Sequence, residues 1–244
     1  MILDMHLYAG PSLFRRSCSE DELVAGQGAE PDAMALLCPA KPPSGSPAEA
    51  HRAVEALAAR LGWPFALRVD PWRATEALAE LERAGEPAAA LFLHPAEEQF
   101  RPTTPDLEPI LAAAEDLALP VILAAGYLPW SHASAVRPLV ERRPGLTFVL
   151  THGAQINICG AHMEEAFEIF RDFPNTIFET SGIYRQDYIE RALRELGPER
   201  VVFGSGAPVF DRAYERARIE ALEVSDEVRA AVIGGNARRI LALA

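Results

Sequence analysis

The stretch Ala88-Ala-Ala-Leu-Phe-Leu93 is an unbroken apolar run that ends at His94-Pro95. A short run of this kind, followed by a residue that breaks regular structure, predicts a strand that is buried on both faces, as in a parallel sheet covered by helices. Pro120-Val-Ile-Leu-Ala-Ala125 has the same character, and a helical pattern at 106–117 lies between the two runs. Parallel neighbours need such a crossover, so this part of the chain predicts a strand, a helix and a second parallel strand.

The same alternation extends along the chain in both directions. Apolar runs bounded by turn residues predict eight strands, at residues 2–6, 33–38, 64–70, 88–94, 119–125, 146–152, 175–181 and 200–205. Apolar residues three and four positions apart predict helices between most of them, at 48–61, 74–84, 106–117, 131–142, 161–172, 186–196 and 211–222. The alternation predicts an α/β protein with a (β/α)8 TIM barrel as a single domain over 1–244; an open doubly wound sheet is the alternative.

Composition narrows the classes of partner. The 35 acidic residues outnumber the 23 basic ones, and the net charge is −12. Nucleic-acid binding needs clustered Lys and Arg, whereas the basic residues here are interleaved with acidic ones. No apolar run reaches the roughly 18 residues of a membrane span, and the amino terminus has no basic region or cleavage site. We therefore expect a cytoplasmic protein that acts on a small molecule, with no nucleic-acid or membrane partner.

Polar residues at the predicted strand ends are the candidates for a site, because the carboxyl ends of barrel strands form the active-site mouth. His6, His94 and His152 end three strands, and Glu179 ends another. His6 and His152 are expected across the mouth from each other, and an imidazole exchanges protons near neutral pH, so both are candidate catalytic residues. A neighbouring Glu179 would raise the pKa of His152. The alternative for each histidine is a strand cap that is hydrogen-bonded to backbone.

The loops after the sixth and seventh strands add candidate substrate contacts. Gln155 and Asn157 lie in a glycine-bounded loop, and Tyr184 and Arg185 follow the next strand. Such loops usually line a barrel pocket, although ordinary glycine turns have a similar composition. Four arginines are predicted near the mouth and are either carboxylate clamps or solvated loop residues: Arg15, Arg16, Arg68 and Arg185.

Six motifs in the right order resemble those of the amidohydrolase superfamily, in its amidohydrolase-related (amidohydrolase 2) branch. The opening Ile2-Leu-Asp-Met-His-Leu-Tyr8 resembles I-x-D-x-H-x-H, and the strand around 200–208 resembles a final strand that reads FGSD-x-P. The other four lie at Leu91–Pro95, Leu119–Gly126, Leu146–Gly153 and Phe173–Ser181. The end of the chain, Gly234-Gly-Asn-Ala-Arg-Arg-Ile-Leu241, is similar to the terminal helix of that family.

The resemblance implies a degenerate metal site. Of the five ligands that the family uses, His6 and His152 are retained, whereas Tyr8, Ala124 and Gly206 stand where two histidines and the proton-accepting aspartate are expected. A catalytic zinc normally has three protein ligands and an open position. Two expectations are therefore open: one divalent metal such as zinc, held by His6, His152 and substitute donors, or no metal.

The resemblance also implies a hydrolase that acts on a small organic acid, amide or lactone. His152 is then the general acid and base, and His6 is a metal ligand or a polar anchor. Tyr8, His94 and Glu179 are expected to contact the substrate, and His94 and Glu179 are also candidate donors for a rebuilt metal site. The superfamily contains metal-independent lactonases and also decarboxylases. The alternatives are thus a catalytically silent ligand-binding or regulatory relative, and a decarboxylase with a rebuilt metal site. Barrels of this branch often pair through helices, which makes a homodimer plausible.

Overall fold

The computed structural model describes residues 1–156 and 160–243. It contains eight parallel strands in chain order, shorter than predicted in most cases: β1 Ile2–Ala9, β2 Ala33–Pro39, β3 Ala66–Arg68, β4 Ala90–Leu93, β5 Val121–Leu123, β6 Phe148–Leu150, β7 Thr176–Glu179 and β8 Val201–Val202. β1 pairs with β2, and β3 to β8 form a continuous ladder in which each strand pairs with the next. The eight predicted strands are therefore confirmed.

Two single bridges close the sheet into a barrel. Leu37 pairs with Phe65 and so joins β2 to the start of β3, while Leu7 pairs with Ala207 and joins β1 to the segment after β8. The backbone N–H of Met5 also donates to the Phe203 carbonyl at 2.9 Å. A contact between the first and last strands is absent from an open doubly wound sheet, so the (β/α)8 barrel is the correct alternative.

Helices surround the barrel. The α-helices are α1 Glu20–Ala29, α2 Pro47–Leu61, α3 Ala74–Ala84, α4 Pro95–Glu98, α5 Glu108–Asp116, α6 Ala133–Arg142, α7 Gly160–Asp172, α8 Gln186–Leu196, α9 Arg212–Glu220, α10 Asp226–Ala230 and α11 Asn236–Ile240. Short 3₁₀ turns lie at Pro71–Arg73, Pro105–Leu107, Thr151–Ala154 and Pro198–Arg200, and a π turn lies at Ala231–Gly235. Within residues 1–156 and 160–243, no helix has the length and apolar character needed to cross a membrane.

The spacing of apolar residues does not predict helix α1. Only Leu23 of this helix is buried, so the apolar stripe that predicts a helix is almost absent. The local signal was a capping box: Ser19 accepts a hydrogen bond from the Glu22 backbone, and the Glu22 carboxylate accepts one from the Ser19 backbone. A search for capping residues would have found it.

The core has two layers that follow the strand alternation. Ile122 and Ala124 of the fifth strand region belong to the cluster inside the barrel, whereas Val121 and Leu123 belong to the layer between strands and helices. Because side chains alternate along a strand, a nearly continuous apolar run fills both layers at once. This explains why the apolar runs of the sequence predicted the strands well.

A bulge in β1 changes which side chains enter the barrel. Asp4 pairs with Ala35 and Leu7 with Leu37, so two residues of β1, Met5 and His6, lie opposite one residue of β2. An extra residue in one strand reverses the alternation beyond it. The Asp4 carboxylate therefore contacts α9, while the ring of His6, two residues later, lies among the aromatic rings of the barrel mouth.

Candidate active site at the barrel mouth

Five rings at the barrel mouth form a closed circuit of contacts, which we call the five-ring cluster. The centroid distances are 4.8 Å from His6 to Tyr8, 6.3 Å from Tyr8 to His94 and 5.2 Å from His94 to Tyr127. Tyr127 lies 5.7 Å from His152, which lies 5.7 Å from His6 and completes the circuit. Four of these residues were predicted from the sequence as site residues, and the structure brings them together.

His152 is held in one orientation by its neighbours. Its backbone has φ 59° and ψ 27°, a left-handed conformation that costs energy for a non-glycine residue and recurs at functional sites. Its Nδ1 lies 2.9 Å from the Ser181 carbonyl oxygen, which only accepts hydrogen bonds, so Nδ1 carries the proton of the neutral ring. Nε2 is then an acceptor, and it lies 3.3 Å from the Tyr127 hydroxyl.

The Glu179 carboxylate accepts hydrogen bonds from both His152 and Ser181. The backbone N–H of His152 donates to it at 3.0 Å, and the backbone N–H and the hydroxyl of Ser181 donate to it at 2.7 and 2.8 Å. Burial raises the pKa of Glu179 to about 8 despite these hydrogen bonds. A Cβ at Gly204 would overlap a Glu179 carboxylate oxygen, so glycine is required there. Glu179 therefore positions His152 through the backbone and does not contact its ring nitrogens.

His6 differs from His152 in having unpartnered nitrogens. The residue is fully buried, and neither Nδ1 nor Nε2 has a hydrogen-bond partner among the described residues. Burial, and then the nearby His152, hold the pKa of His6 well below its usual value. Unpartnered buried polar atoms are rare and costly, so they mark a place where a small molecule or water would gain hydrogen bonds.

His94 has a structural task as well as a place in the cluster. It is the N-cap of the short helix α4, where its Nδ1 accepts a hydrogen bond from the Glu97 backbone at 3.2 Å. Burial, and then the Arg68 guanidinium, hold the pKa of His94 well below its usual value. Arg68 itself is buried and paired with Glu97 and Glu98 at 2.7 Å each. It is neither a free carboxylate clamp nor a solvated loop residue, and it braces the turn that carries His94.

A pocket of about 260 Å³ opens above the cluster. It is lined by Tyr8, Phe14, Arg16, His94, Ala96, Glu97, Gln99, Tyr127 and Val209. Arg68 and Lys41 together balance the charges of Glu97 and Glu98. The exposed Arg16 is therefore the remaining positive charge of the lining, with no ion pair to another described residue. The three histidines are neutral near pH 7, because burial lowers the pKa of each and that of His152 falls to about 4. The pocket thus offers one cation, aromatic walls and the neutral imidazole of His94, with His6 and His152 buried beneath the lining.

The donors present do not fit the metal that the family resemblance implies. Within residues 1–156 and 160–243, no group of three or more His, Cys, Asp or Glu side chains could hold a metal ion. Nδ1 of His94 is used as a helix cap, and Ala124 has no donor atom. At Gly206, where the family aspartate is expected, an added Cβ would lie 2.9 Å from the Phe210 ring and 3.3 Å from Ser181. Of the metal ligands that the resemblance implies, the described residues include two imidazole rings, those of His6 and His152.

Phe210 occupies the space beside His152 on the side of Gly206. Its ring centroid lies 5.7 Å from that of His152, and a Cβ at Gly182 would overlap the same ring. Gly182 and Gly206 both have positive φ, at 59° and 63°. Two glycines without side chains therefore make room for one aromatic ring next to the candidate base.

The remaining predicted contacts lie outside the five-ring cluster. Tyr184 is 76% exposed, and Arg185 is exposed and paired with Asp187. Gln155 is buried and lines a small cavity with Gly126 and His132, and its Nε2 has no partner among the described residues. Asn157 lies outside the described residues. Their roles in substrate binding stay predictions.

Sequence reasoning missed three residues of the site: Tyr127, Ser181 and Phe210. Tyr127 lies in the loop Gly126-Tyr-Leu-Pro-Trp130 after β5, and an aromatic residue in a loop after a barrel strand was the available signal. Ser181 closes the motif Phe173–Ser181, but that motif alone assigns it no contact with His152. Phe210 gives no signal, because its role depends on which loops meet at the mouth. Ser205, in the segment 200–208 that resembles the final family strand, donates to Asp4 at 2.6 Å, and Asp4 also pairs with Arg212 of α9.

Comparison with known proteins places the chain among amidohydrolases. Residues 39–243 match the sequence model of a protein family described as amidohydrolase. A search of curated proteins gave no match.

Three solved structures illustrate the similarity. A 5-carboxyvanillate decarboxylase from Sphingomonas paucimobilis has a TM-score of 0.77 at 16% identity, covering 100% of this chain and 99% of that one. A Burkholderia multivorans amidohydrolase with bound zinc has a TM-score of 0.79 at 16% identity, covering 100% of both chains. A probable 2-pyrone-4,6-dicarboxylic acid hydrolase from Acinetobacter baumannii, with bound citric acid, has a TM-score of 0.76 at 11% identity, covering 99% of both. At these identities the comparison shows the shared barrel fold alone.

Proposed function

The chain belongs to the amidohydrolase family, and we propose that it hydrolyses a small lactone or ester that carries a carboxylate, with His152 as general base. The substrate lies in the pocket above the five-ring cluster, with its carboxylate on Arg16 and its ring against Tyr8 and Tyr127. A pocket of about 260 Å³ suits a small molecule, and its single unpaired cation favours an anion. No step of this mechanism requires a metal ion.

The observation that supports the proposal most strongly is the fixed orientation of His152. Because Nδ1–H donates to Ser181, Nε2 is the acceptor and can take a proton from water. Its low pKa makes it a weak base in the empty site, but the negative charge of a bound carboxylate favours the imidazolium and raises that pKa. Substrate binding and base strength are thereby linked.

The proton and bond changes follow from this geometry. Water loses a proton to Nε2 as its oxygen forms a bond with the carbonyl carbon, which gives a tetrahedral oxyanion. When the intermediate collapses, the carbon–oxygen bond to the leaving oxygen breaks, and the Nε2 proton passes to that oxygen. The product is a hydroxy acid or an acid and an alcohol, and His152 returns to its neutral state. General catalysis of this kind contributes about 10² to 10⁴ in rate.

Binding without turnover is the second candidate, and the position of Phe210 favours it. The ring fills the space beside His152 where the family resemblance places the proton-accepting aspartate. A site that has lost that carboxylate and covered its histidine retains the pocket and Arg16 for binding. Decarboxylation is a third candidate. Solved structures with this fold include decarboxylases as well as the pyrone hydrolase, and they do not favour either reaction.

The test is a turnover screen with separate readouts for the three candidates. Carboxylated lactones and esters, and hydroxybenzoates with a second carboxylate, are incubated with the protein, and acid formation and CO2 release are followed. We expect acid formation that persists after treatment with a chelator and falls at least 10²-fold in His152→Ala. Turnover in His152→Ala equal to wild type would overturn the role of His152. CO2 release that depends on added zinc or manganese would instead support decarboxylation, and ligand-induced thermal stabilisation without turnover would support binding alone.

A further inference from the structure

Access to His152 from the pocket is blocked by the rings of the cluster. The pocket lining includes Tyr8, His94 and Tyr127, but neither His6 nor His152. His152 is 1% exposed and His6 is fully buried, so a molecule in the pocket does not touch either ring. The proposed hydrolysis requires contact between substrate, water and Nε2 of His152. One of the lining side chains must therefore move.

Tyr127 is the lining residue in direct contact with the candidate base. Its hydroxyl lies 3.3 Å from Nε2 of His152, at the long end of the range for a hydrogen bond. Because Nε2 is an acceptor, the Tyr127 hydroxyl is the donor in this contact. Burial raises the pKa of Tyr127, so its phenol stays protonated and remains a donor across the neutral range.

The backbone of the Tyr127 loop is held firmly, while its side chain is held weakly. Gly126 N–H donates to the Ser131 carbonyl at 2.7 Å, and Ser131 N–H donates to the Tyr127 carbonyl at 2.8 Å. The Ser131 hydroxyl donates to the Ala124 carbonyl at 2.7 Å, which ties the loop to the end of β5. The ring of Tyr127 is only partly buried and has one long hydrogen bond. Rotation of the side chain on a fixed backbone is thus the motion of least cost.

The other rings around His152 are less free to move. Phe210 packs against Gly182 and Gly206 so closely that neither position has room for a Cβ. His94 is fixed as the cap of α4. Tyr8 is 5% exposed and lies on a strand. The contacts therefore single out Tyr127.

We propose that the Tyr127 side chain is a gate between the pocket and His152, and that its hydroxyl becomes a hydrogen-bond donor to the substrate carbonyl oxygen when the gate opens. In the closed state the Tyr127 hydroxyl donates a hydrogen bond to Nε2 of His152. In the open state it releases Nε2 to water and reaches the oxygen on which negative charge develops. This inference rests on the proposed hydrolysis for its second part, whereas the gate itself is independent of any reaction.

The gate is tested by the accessibility of His152 to diethyl pyrocarbonate, which acylates neutral imidazole nitrogens, with the modified residues located by mass spectrometry. Tyr127→Ala removes the ring, and we expect His152 to be modified at least 10-fold faster than in wild type. Tyr127→Phe keeps the ring but loses the hydrogen bond, and we expect a smaller acceleration. His51, fully buried elsewhere, is the internal reference and should stay slow in every variant. Equal rates at His152 in wild type and Tyr127→Ala would overturn the gate.

The donor role is tested with a substrate identified by the turnover screen. We expect Tyr127→Phe to lower kcat by about 10- to 100-fold with little change in KM, because the lost hydrogen bond is made to the oxyanion. Tyr214→Phe, on the exposed face of α9, is the matched control and should not change either constant. An unchanged kcat in Tyr127→Phe would overturn the donor role.

The outcomes separate this inference from the proposed function. Loss of activity in His152→Ala together with an unaffected Tyr127→Phe would leave the base in place and reject Tyr127 as a donor. Full activity in His152→Ala would reject the base, while the modification experiment would still decide whether Tyr127 covers His152. Circular dichroism and thermal unfolding of each variant show whether the fold is intact.

Discussion

His51 and His6 are both fully buried, yet their surroundings are opposite. His51 lies on α2 with its Nδ1 2.8 Å from the Glu80 carboxylate and its Nε2 2.8 Å from the Arg68 carbonyl. His6 lies in the barrel mouth with neither nitrogen partnered among the described residues. One histidine ties two helices and a strand together. The other has hydrogen-bonding capacity that the protein does not use.

The difference shows how a structural histidine is distinguished from a site histidine. A buried polar group that contributes to stability has its partners in place, because an unpartnered one costs free energy. A protein that retains an unpartnered group at the mouth of a barrel loses stability there, and such a loss is typical of functional sites. His152 is intermediate, with one nitrogen anchored on Ser181 and the other facing Tyr127.

The largest expected effect is the loss of stability when His51, the fully partnered histidine, is replaced. His51→Leu leaves the buried Arg68 carbonyl without a donor and removes a partner of Glu80. We expect the free energy of unfolding to fall by about 3 kcal/mol, which lowers Tm by roughly 6 to 12 °C in a chain of this size. Ligand binding in the pocket should not change. Urea unfolding measures the first effect, and a loss under about 0.5 kcal/mol would contradict the structural role.

The buried histidines and the buried Glu179 are expected to change the stability with pH in opposite directions. Below pH 6.5, His6, His94 and His152 bind protons in the unfolded state but not in the folded state, so their contributions to the free energy of unfolding fall as the pH falls. Glu179 has the opposite sign. Its folded pKa is about 8, so the folded state alone holds this proton between pH 4.5 and 8.

From pH 6.5 to 8 the contribution of Glu179 to stability should decline by about 2 kcal/mol. The three histidine contributions still rise slightly at the start of this range, as the last protons leave the unfolded histidines, so the decline is measured as the difference between wild type and Glu179→Gln. Denaturant unfolding at intervals of half a pH unit measures the slope. Glu179→Gln cannot titrate, and we expect it to be less stable at every pH but to show no decline above pH 6.5. A decline that persists in Glu179→Gln would assign it to another group.

The packing beside His152 gives a smaller effect. Gly206→Ala places a Cβ 2.9 Å from the Phe210 ring at a backbone φ of 63°, and we expect a loss of about 1 to 2 kcal/mol. In a Phe210→Leu background, the part of this loss that comes from the clash with the Phe210 ring should shrink. The part that comes from the positive φ of residue 206 should remain. A double-mutant cycle measured by urea unfolding gives this difference. Equal losses in both backgrounds would show that Phe210 does not restrict the space at Gly206.

The smallest expected change is at His6. His6→Leu replaces an unpartnered buried ring by an apolar side chain of similar size, and we expect stability to stay within about 1 kcal/mol of wild type or to rise. Affinity should fall for a ligand that reaches the five-ring cluster when the Tyr127 gate is open, because the hydrogen-bonding capacity of His6 is removed. A stability loss as large as that of His51→Leu would show that His6 is held by ordered water, and the comparison between the two histidines would then fail.

The barrel and part of the site were predictable from residue order. The apolar runs at 88–93 and 120–125 predicted buried parallel strands, and the ends of those runs placed His94 at the mouth beside His6 and His152. The bulge in β1 was not predictable, because strict alternation puts Asp4 and His6 on one face. Tyr127 and Phe210 were also missed, since their importance depends on loops from distant parts of the chain meeting at His152.

The sequence by itself determined the alternation of strands and helices and the family. Local propensity and the pattern of apolar residues are properties of neighbours along the chain, so they can be read from it. Tertiary structure alone decided which histidine nitrogens are partnered, which glycines admit Phe210, and that Tyr127 covers His152. These features depend on distances of a few ångströms between residues far apart in sequence, and only the packed barrel sets those distances.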